Sequence, residues 1–396
     1  MNGRRRFGWM VAATWLLVHH APAHSEPYVP AEDRQVLERL RVNSLDPVRR
    51  ELKVLRAGLS RDPENVDVAA PLATRYIEVG RSEGDPRFFG QAQAVLSPWW
   101  DQPAPPPPVL LLRAIIRQNA HEFDPALADV DAVLQVQPTN AQAWLTKASI
   151  LQVQGHYDEA RRACQPLMRL AARHIALTCL SDIAGLTGQA ARSRAVLTWA
   201  ASQSGVPDRE RLWVLTALAE LSARTGHSDA AEQSFAEARR LGIKDQYLWG
   251  AYADFLLDQE RAPDVVRLFE GDMKPDGFLL RLALAEQVLH LPVAKDHTAM
   301  LAARFSASRD RGTRIHLREE ARFTLVLLAQ PRQALTVAQV NWAIQKEPWD
   351  ARLLLESALA SGDLDAATPV LEWLHANQIE DIRLQDLAAQ VSKGRR

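Results

Sequence analysis

The sequence predicts an all-α protein built as a right-handed α-solenoid, in which pairs of antiparallel helices stack side by side. Three observations lead to this prediction. The chain of 396 residues is longer than one compact core usually needs. Residues 141–167 read as a helix, a turn and a second helix, and marks of the same unit recur roughly every 34 residues. Because one helix pair is too small to bury its own apolar side, neighbouring pairs must stack and share a core.

The composition fits a folded protein with no electrostatic preference for polyanions. Hydrophobic residues make up 47% of the chain, and the formal net charge is −1. The hydrophobic content is ample for a buried core and excludes a largely disordered chain. The net charge gives no basic surface of the kind that binds nucleic acid or anionic lipid. We therefore expect no nucleic-acid partner.

Residues 1–23 have the three-part order of a signal peptide. Three arginines at positions 4–6 precede an apolar run over 7–18, and Ala21-Pro22-Ala23 places small residues at the cleavage positions. The run is shorter than the ~20 apolar residues of a membrane-spanning helix. We expect cleavage after Ala23 and export to the periplasm, without stable membrane insertion. The alternatives are an uncleaved leader that tethers the protein to a membrane, and an ordinary buried helix.

Residues 31–106 are predicted to form irregular helix pairs ahead of the regular repeats. Asp46-Pro47 marks a helix start, because proline at the first helical position loses no hydrogen bond. An inserted loop is expected at 84–90. Prolines at positions 103 and 105–108 predict a stiff, extended spacer. The alternative interpretation of this run is a ligand for a proline-binding module.

The repeat pattern is sharpest in residues 141–167. Gly155 permits the positive φ that ends a helix, and Asp158 can cap the helix that follows. Ala148 and Ala160 are small at the positions where the two helices must approach closely. This segment therefore predicts one complete helix pair.

Related marks extend the prediction along the chain. Residues 107–272 are predicted to form a regular array, 276–348 to form divergent helix pairs that lack turn glycines, and 351–396 to form a terminal repeat with a capping helix at 381–391. Each flanking unit is recognised by residues at the repeat's signature positions. From the first unit to the last, these are Ala114 with Asp124-Pro125, Gly188 with Leu197, Gly226 with Ala231 and Phe235, Trp249 with Ala253 and Phe269, and Gly362-Asp363.

These residues make the chain resemble the exported tetratricopeptide-repeat (TPR) proteins of Gram-negative bacteria. The resemblance covers roughly residues 46–375 and is strongest at 107–170. Segments 75–100 and 341–359 also look like a group of such proteins with no assigned chemistry. The resemblance implies the α-solenoid fold and a protein-binding role by fold-level analogy, and it implies no catalytic residue.

The resemblance also implies a binding face. In TPR proteins the first helix of each pair lines a concave groove, and fixed repeat positions point into it. Those positions carry amides among aliphatic residues, which suits a peptide whose backbone needs hydrogen-bond partners. In the two sharpest units they are Leu111, Ile115, Gln118, Asn119, Gln142, Leu145, Ser149, Gln152 and Val153.

Acidic residues occupy the equivalent groove positions of the next units. Asp182, Glu220 and Asp254 lie on successive first helices, with Asp258 one turn beyond the last. Helices in contact lie ~8–10 Å apart, so these residues could form an acidic ridge that favours a basic partner segment. The alternative is that they lie on solvated helix faces.

The two cysteines are a candidate disulfide. Cys164 lies late in one helix and Cys179 lies in the next, at equal distances from a turn near residues 170–174. Antiparallel helices joined there bring the two residues opposite each other, and export would place them in an oxidising compartment. The alternative is a pair of small buried hydrophobic residues.

No motif for catalysis or metal binding accompanies the repeats. The eleven histidines do not fall at ligand spacing, and no phosphate loop or nucleophile motif is present. The sequence thus favours a scaffold or adaptor that is not an enzyme and has no cofactor. We expect a protein or peptide partner and no small-molecule substrate. Two alternatives remain open: a membrane-tethered assembly factor, and an enzyme subunit with a site in 276–340.

Overall fold

The computed structural model describes residues 47–270, 275–312 and 315–395. These residues form helices and turns, with one isolated β-bridge between Thr187 and Ile379. The predicted signal peptide at 1–23 and the first part of the 31–106 region lie outside the described residues. The chain divides into a unit that ends at Arg50, of which only the first residues of α1 are described, and a unit from Glu51 to Arg396.

Within residues 47–100, the start of the part that the structure describes, four helices precede the regular repeats. Asn65 caps the second, since its side chain accepts a hydrogen bond from the Asp67 backbone N–H at 3.0 Å. Gly84 ends the same helix in the left-handed conformation, and the next begins at Arg87, so the expected loop at 84–90 is short. The four helices are α1 (Pro47–Leu59), α2 (Val66–Glu83), α3 (Arg87–Val95) and α4 (Ser97–Trp100).

Six helix pairs follow, and their first helices begin at intervals of 30 to 38 residues. The last two prolines of the predicted spacer form the first turn of the first pair, where their missing N–H groups cost nothing. The pairs are α5 (Pro107–Asn119) and α6 (Phe123–Val136), α7 (Ala141–Val153) and α8 (Tyr157–Cys164), α10 (Arg173–Leu186) and α11 (Ala190–Ser202), α12 (Asp208–Arg224) and α13 (Ser228–Arg240), α14 (Gln246–Asp258) and α15 (Ala262–Leu268), and α16 (Asp276–Val288) and α17 (Ala294–Asp310), with the short α9 (Leu167–Leu170) after α8.

Adjacent pairs share their apolar cores. One cluster runs from α12 to α16 and includes Phe235, Phe255, Phe269 and Phe278, all of them buried. The rings of Phe269 and Phe278 stack across two neighbouring pairs with centroids 4.5 Å apart. Burial across the boundary between pairs is what holds a repeat array together, and the predicted all-α helical-repeat fold is confirmed.

The C-terminal helices return to the middle repeats. Their apolar side chains, such as Trp342, Leu354 and Trp373, join one core with Leu151 and Ile183 of α7 and α10. The returning elements are α18 (Leu317–Arg322), a π-helix (Phe323–Leu327), α19 (Pro331–Ile344), α20 (Pro348–Ser361), a 3₁₀-helix (Leu364–Ala367), α21 (Thr368–Ala376) and α22 (Ile382–Gly394).

Backbone hydrogen bonds fix this return. The Lys346 N–H donates to the Val153 carbonyl at 2.7 Å, and the Glu380 N–H donates to the Leu186 carbonyl at 3.3 Å. The contact at the turn between α7 and α8 is close, because a Cβ on Gly155 would lie 3.3 Å from Cβ of Lys346. Gly155 therefore serves two purposes, since its φ of 80° also requires glycine.

A disulfide joins Cys164 at the end of α8 to Cys179 in α10, with their Cα atoms 5.9 Å apart. Both residues are buried in the core that the repeats share with the C-terminal helices. Among the described helices, none combines the length and the apolar character needed to cross a membrane.

Candidate functional site: a cavity between the repeats and the C-terminal helices

A cavity of about 950 Å³ lies between the first helices of the middle repeats and the C-terminal helices. We call it the central cavity, and we call α7, α10, α12 and α14 the inner helices. The inner helices supply one side of its wall, α20 and α22 supply the other, and Arg81 of α2 also lines it. The sequence suggested an open groove. In the structure, the concave face is instead covered by the returning helices.

A smaller cavity of about 270 Å³ lies beside α5. It shares Arg81, Arg318 and Glu347 with the central cavity, so the two are neighbours. The Gln118 side-chain amide donates to the Ser149 hydroxyl at 3.0 Å, which links a residue of the smaller cavity to one of the central cavity.

The predicted groove residues are distributed between the two cavities. Ile115, Gln118, Asn119 and Val153 line the smaller one. Ser149, Gln152, Asp182, Glu220, Asp254 and Asp258 line the central one. Leu111 and Leu145 are half-buried against apolar clusters instead, and Gln142 is exposed.

Asp254 is the most buried of the four acids, at 5% exposure, and it pairs with two arginines. Arg281 of α16 approaches its carboxylate at 2.5 and 3.0 Å, and Arg322 of α18 approaches at 2.5 Å. Burial alone would raise the pKa of Asp254, but the two guanidinium groups hold it below its usual value. Asp254 is therefore buried and ion-paired, and it does not lie on a solvated helix face.

Asp258 pairs with both helices of the opposite wall. Nη1 of Arg352 on α20 lies 2.9 Å from each of its carboxylate oxygens, and Arg383 on α22 lies 3.4 Å away. The guanidinium carbons of Arg322 and Arg352 lie 4.5 and 4.2 Å from the ring centre of Trp349. The cations that pair with these two acids thus come from four other helices of the chain itself.

Asp182 and Glu220 form no ion pair with any described residue. Asp182 accepts a hydrogen bond from the Gln152 amide at 2.8 Å, and Glu220 accepts one from the Tyr247 hydroxyl at 2.9 Å. Burial and the neighbouring charge of Asp182 raise the pKa of Glu220 to about 8. The charge of Glu220 in turn raises the pKa of Tyr247 well above its usual value.

Two arginines that line the cavity also lack partners among the described residues. Nε and Nη2 of Arg224 are buried without a hydrogen bond. Arg81 makes no ion pair there either, and burial lowers its pKa. The central cavity therefore carries unpaired groups of both signs.

Sequence reasoning did not identify Arg81, Tyr247 or Trp349. Tyr247 is 65% exposed and is one of the residues that line the cavity. The arginines at positions 318, 352 and 383 were also missed. The sequence places these arginines on helical segments, but no local pattern indicates which acidic residues they pair with.

The region 276–340, considered as a possible enzyme site, encloses an apolar core around Leu279, Leu301 and Phe305. One buried polar pair in this region is His297 and Glu286, with Nδ1 and Oε2 2.7 Å apart. Among the described residues, no group of three or more histidine, cysteine or acidic side chains is arranged to hold a metal ion.

Comparison with known proteins finds likeness at the level of structure. No protein-family model matches the chain, and no curated protein sequence matches it. A tetratricopeptide repeat protein from Parabacteroides merdae is similar with a TM-score of 0.41 and 14% identity, over 60% of this chain and 92% of that one. The APC/C hetero-tetramer Cut9–Hcn1 is similar with a TM-score of 0.40 and 16% identity, over 78% of this chain and 52% of that one.

The helix pairs themselves carry the assignment of the fold. Their first helices recur at intervals close to the 34 residues of a TPR unit. Glycine turns such as Gly155, Gly188 and Gly226 separate the two helices of a pair, each with positive φ. The chain is an all-α helical-repeat protein of tetratricopeptide-like architecture.

Proposed function

We propose that this protein is an exported scaffold or adaptor without catalysis of its own, which binds a peptide segment of another protein in the central cavity. A volume of about 950 Å³ falls in the range of pre-formed ligand sites, roughly 300–1,000 Å³. That volume suits a stretch of a few residues and is too small for a folded domain.

The observation that carries this proposal is the set of unpaired groups on the inner helices. Asp182 and Glu220 have no cationic partner among the described residues, although Asp254 and Asp258 in the same row have arginines. A basic side chain of a peptide would pair with the carboxylate of Asp182 and would favour the ionised form of Glu220, whose pKa is otherwise raised. Side-chain amides such as those of Gln152 and Gln118 would satisfy the peptide backbone.

Binding of labelled synthetic octapeptides tests the proposal. One peptide alternates lysine with leucine and a second alternates glutamate with leucine. We expect the basic peptide to bind in preference to the acidic one and to bind more weakly as ionic strength rises. The double variant Asp182→Asn, Glu220→Gln should weaken its binding at least about tenfold, which corresponds to about 1.4 kcal/mol.

A matched control is the double variant Asp158→Asn, Glu159→Gln. These two acids lie on the outer turn of α8, with side chains 80% and 55% exposed. Their removal changes the formal net charge by the same amount and should leave binding unchanged. Equal loss in both double variants, or no binding of the basic peptide at all, would overturn the proposal.

The export component rests on the pattern of residues 1–23 and is tested separately. N-terminal sequencing of the protein purified from cells should find a chain that starts at His24. A chain that keeps its leader would favour the membrane-tethered alternative.

A further inference from the structure

Arg224 is a cation without a partner on the wall of the central cavity. It belongs to α12, the inner helix that also carries Glu220, and both residues line the cavity. Its Nε and Nη2 atoms are buried and form no hydrogen bond, and it enters no ion pair within the part of the chain that the structure describes. Because an unpartnered charge taken out of water costs free energy, an anionic group of a ligand would stabilise this side chain.

Gly185 of α10 makes room for the guanidinium of Arg224. A Cβ added to Gly185 would lie 3.2 Å from Nη2, so the side chain packs closely against the neighbouring inner helix. The third nitrogen, Nη1, is not one of the buried atoms and forms no hydrogen bond with a described residue. Nη1 is therefore the atom through which Arg224 can bind a ligand in the cavity.

Two acids that interact electrostatically with Arg224 are engaged elsewhere. Glu220 accepts the hydrogen bond of the Tyr247 hydroxyl at 2.9 Å. Asp381 accepts hydrogen bonds from two backbone N–H groups of α22, both at 3.0 Å. Neither acid forms an ion pair with Arg224, so an incoming anion would not have to displace an existing one.

Arg224 lies one helical turn beyond the two unpaired acids. Glu220 precedes it by four residues in α12, which is about 6 Å along the helix axis. Asp182 precedes Gly185 by three residues in α10, so Asp182 also lies about one turn before the guanidinium. The cavity thus offers a site for a cation and a site for an anion about one turn apart.

An extended peptide carries side chains at this spacing. Residues in a strand rise ~3.3 Å each and alternate between two faces, so side chains two positions apart share a face and lie ~6.6 Å from each other. A cavity of about 950 Å³ holds only a few residues. Such a segment is too short for a stable helix, because isolated helices of fewer than ~12–15 residues are marginal in water.

We infer that the segment bound in the central cavity is an extended peptide with a basic and an acidic residue two positions apart. The basic side chain lies at Asp182 and Glu220, and the acidic side chain lies at Arg224. This inference rests on the proposed function and names the class of peptide that the cavity accepts. A segment with basic residues alone would leave the guanidinium of Arg224 without a partner.

Three labelled octapeptides with blocked ends test the inference on the whole chain. The first alternates leucine with lysine, and its second lysine is replaced by glutamate in the second peptide and by glutamine in the third. The glutamate then has a lysine two positions away on each side, which covers both directions of binding.

The glutamate peptide should bind at least about fivefold more tightly than the glutamine peptide, because it gains a charge-assisted hydrogen bond to Arg224. General attraction of a basic peptide to an acidic cavity predicts the opposite order, since glutamate lowers the positive charge of the peptide. The sign of the difference therefore separates the two explanations.

Arg224→Gln should abolish this preference, so that the glutamate peptide binds no more tightly than the glutamine peptide. Arg224→Lys keeps the charge and should retain a preference of at least about twofold. Arg162→Gln is the matched control, because Arg162 is exposed on α8 and forms no ion pair with any described residue. It should leave the ratio of the two Kd values unchanged. Circular dichroism and the urea midpoint of each variant check that it is folded.

Equal binding of the glutamate and glutamine peptides to the wild type overturns the inference, and this comparison needs no variant. A preference that persists in Arg224→Gln overturns it too, since the acidic side chain then binds elsewhere. In both cases the proposed function stands if the lysine–leucine peptide binds and depends on Asp182 and Glu220. If none of the three peptides binds, the proposed function is wrong, and this inference with it.

Discussion

Arg352 of α20 and Asp258 of α14 lie 94 residues apart in the sequence and form an ion pair in which one Nη1 atom lies 2.9 Å from both carboxylate oxygens. Arg352 is largely buried and also pairs with Glu356 at 2.7 Å. The pair ties a helix of the returning segment to an inner helix of the repeats. It thereby fixes the width of the central cavity at this point.

Replacing Asp258 by alanine should lower the free energy of unfolding by about 1–3 kcal/mol. The loss arises because the largely buried guanidinium of Arg352 keeps only Glu356 as an ion-pair partner. Urea unfolding measures it. Asp158→Ala is the control, since its side chain is 80% exposed, and it should change stability by no more than about 0.5 kcal/mol. Equal effects of the two variants would show that the ion pair between Arg352 and Asp258 contributes nothing to the stability of the protein.

Asp254→Ala should be the most damaging single change among the cavity acids, with a loss of about 3–5 kcal/mol. It leaves Arg281 and Arg322 together without their shared carboxylate, and both side chains are largely buried, at 15% and 11% exposure. Asp264→Ala is a matched control, because Asp264 also holds two arginines, Arg261 and Arg267, but nearer the surface. It should cost no more than about 1 kcal/mol.

The helix pairs could be predicted from the sequence because each depends on residues within one repeat. Gly155 ends α7 and Asn140 begins it, the latter through a hydrogen bond from the Ala143 N–H at 3.0 Å. Both are local signals that a single sequence carries. The direction of Gln152 and Asp182 into the concave face also follows from their repeat position.

The closure of that face could not be predicted in this way. It depends on Arg352 meeting Asp258 and on Lys346 meeting Val153, across long separations with no periodic signal. The sequence shows that arginines lie on the C-terminal helices, but pairing between distant helices is set by the packed core around Trp342 and Trp373. The wall of the cavity therefore emerged only from the folded structure.

Gly155→Ala should destabilise the protein by about 1–2 kcal/mol more than Gly205→Ala does. The φ angles are nearly equal, 80° and 77°, so alanine strains both turns alike. At Gly155 the new Cβ also meets Cβ of Lys346, whose backbone is held by Val153 and Tyr157. At Gly205 it meets nothing within 4 Å. Equal thermal unfolding of the two variants would contradict the close docking at this turn.

The raised pKa of Glu220 predicts that the stability of the protein falls as the pH rises. Its pKa is raised to about 8 in the folded protein, against about 4.3 in an unfolded chain. Between these values the folded state binds more protons, so the free energy of unfolding falls as pH rises towards 8 and levels off above it. Because Glu220 faces a cavity, which screens its charge, we expect Glu220→Gln to gain about 1–3 kcal/mol over the wild type between pH 5 and pH 9.

Urea unfolding at several pH values measures this gain, with the exposed Glu372→Gln as its control. The control should follow the wild-type curve over the whole range. A Glu220→Gln curve parallel to the wild type would show that Glu220 ionises normally.

The disulfide between Cys164 and Cys179 should contribute about 3 kcal/mol to stability, because it closes a 15-residue loop in the unfolded chain. Intact mass should rise by about 2 Da on reduction of the unfolded protein, and reduction should lower the urea midpoint. The double variant Cys164→Ala, Cys179→Ala separates the bond from the packing of its sulfur atoms. It should match the reduced wild type in stability and should not respond to reductant. An unchanged mass after reduction would show that the two buried cysteines are present as thiols, and the urea midpoint should then be the same with and without reductant.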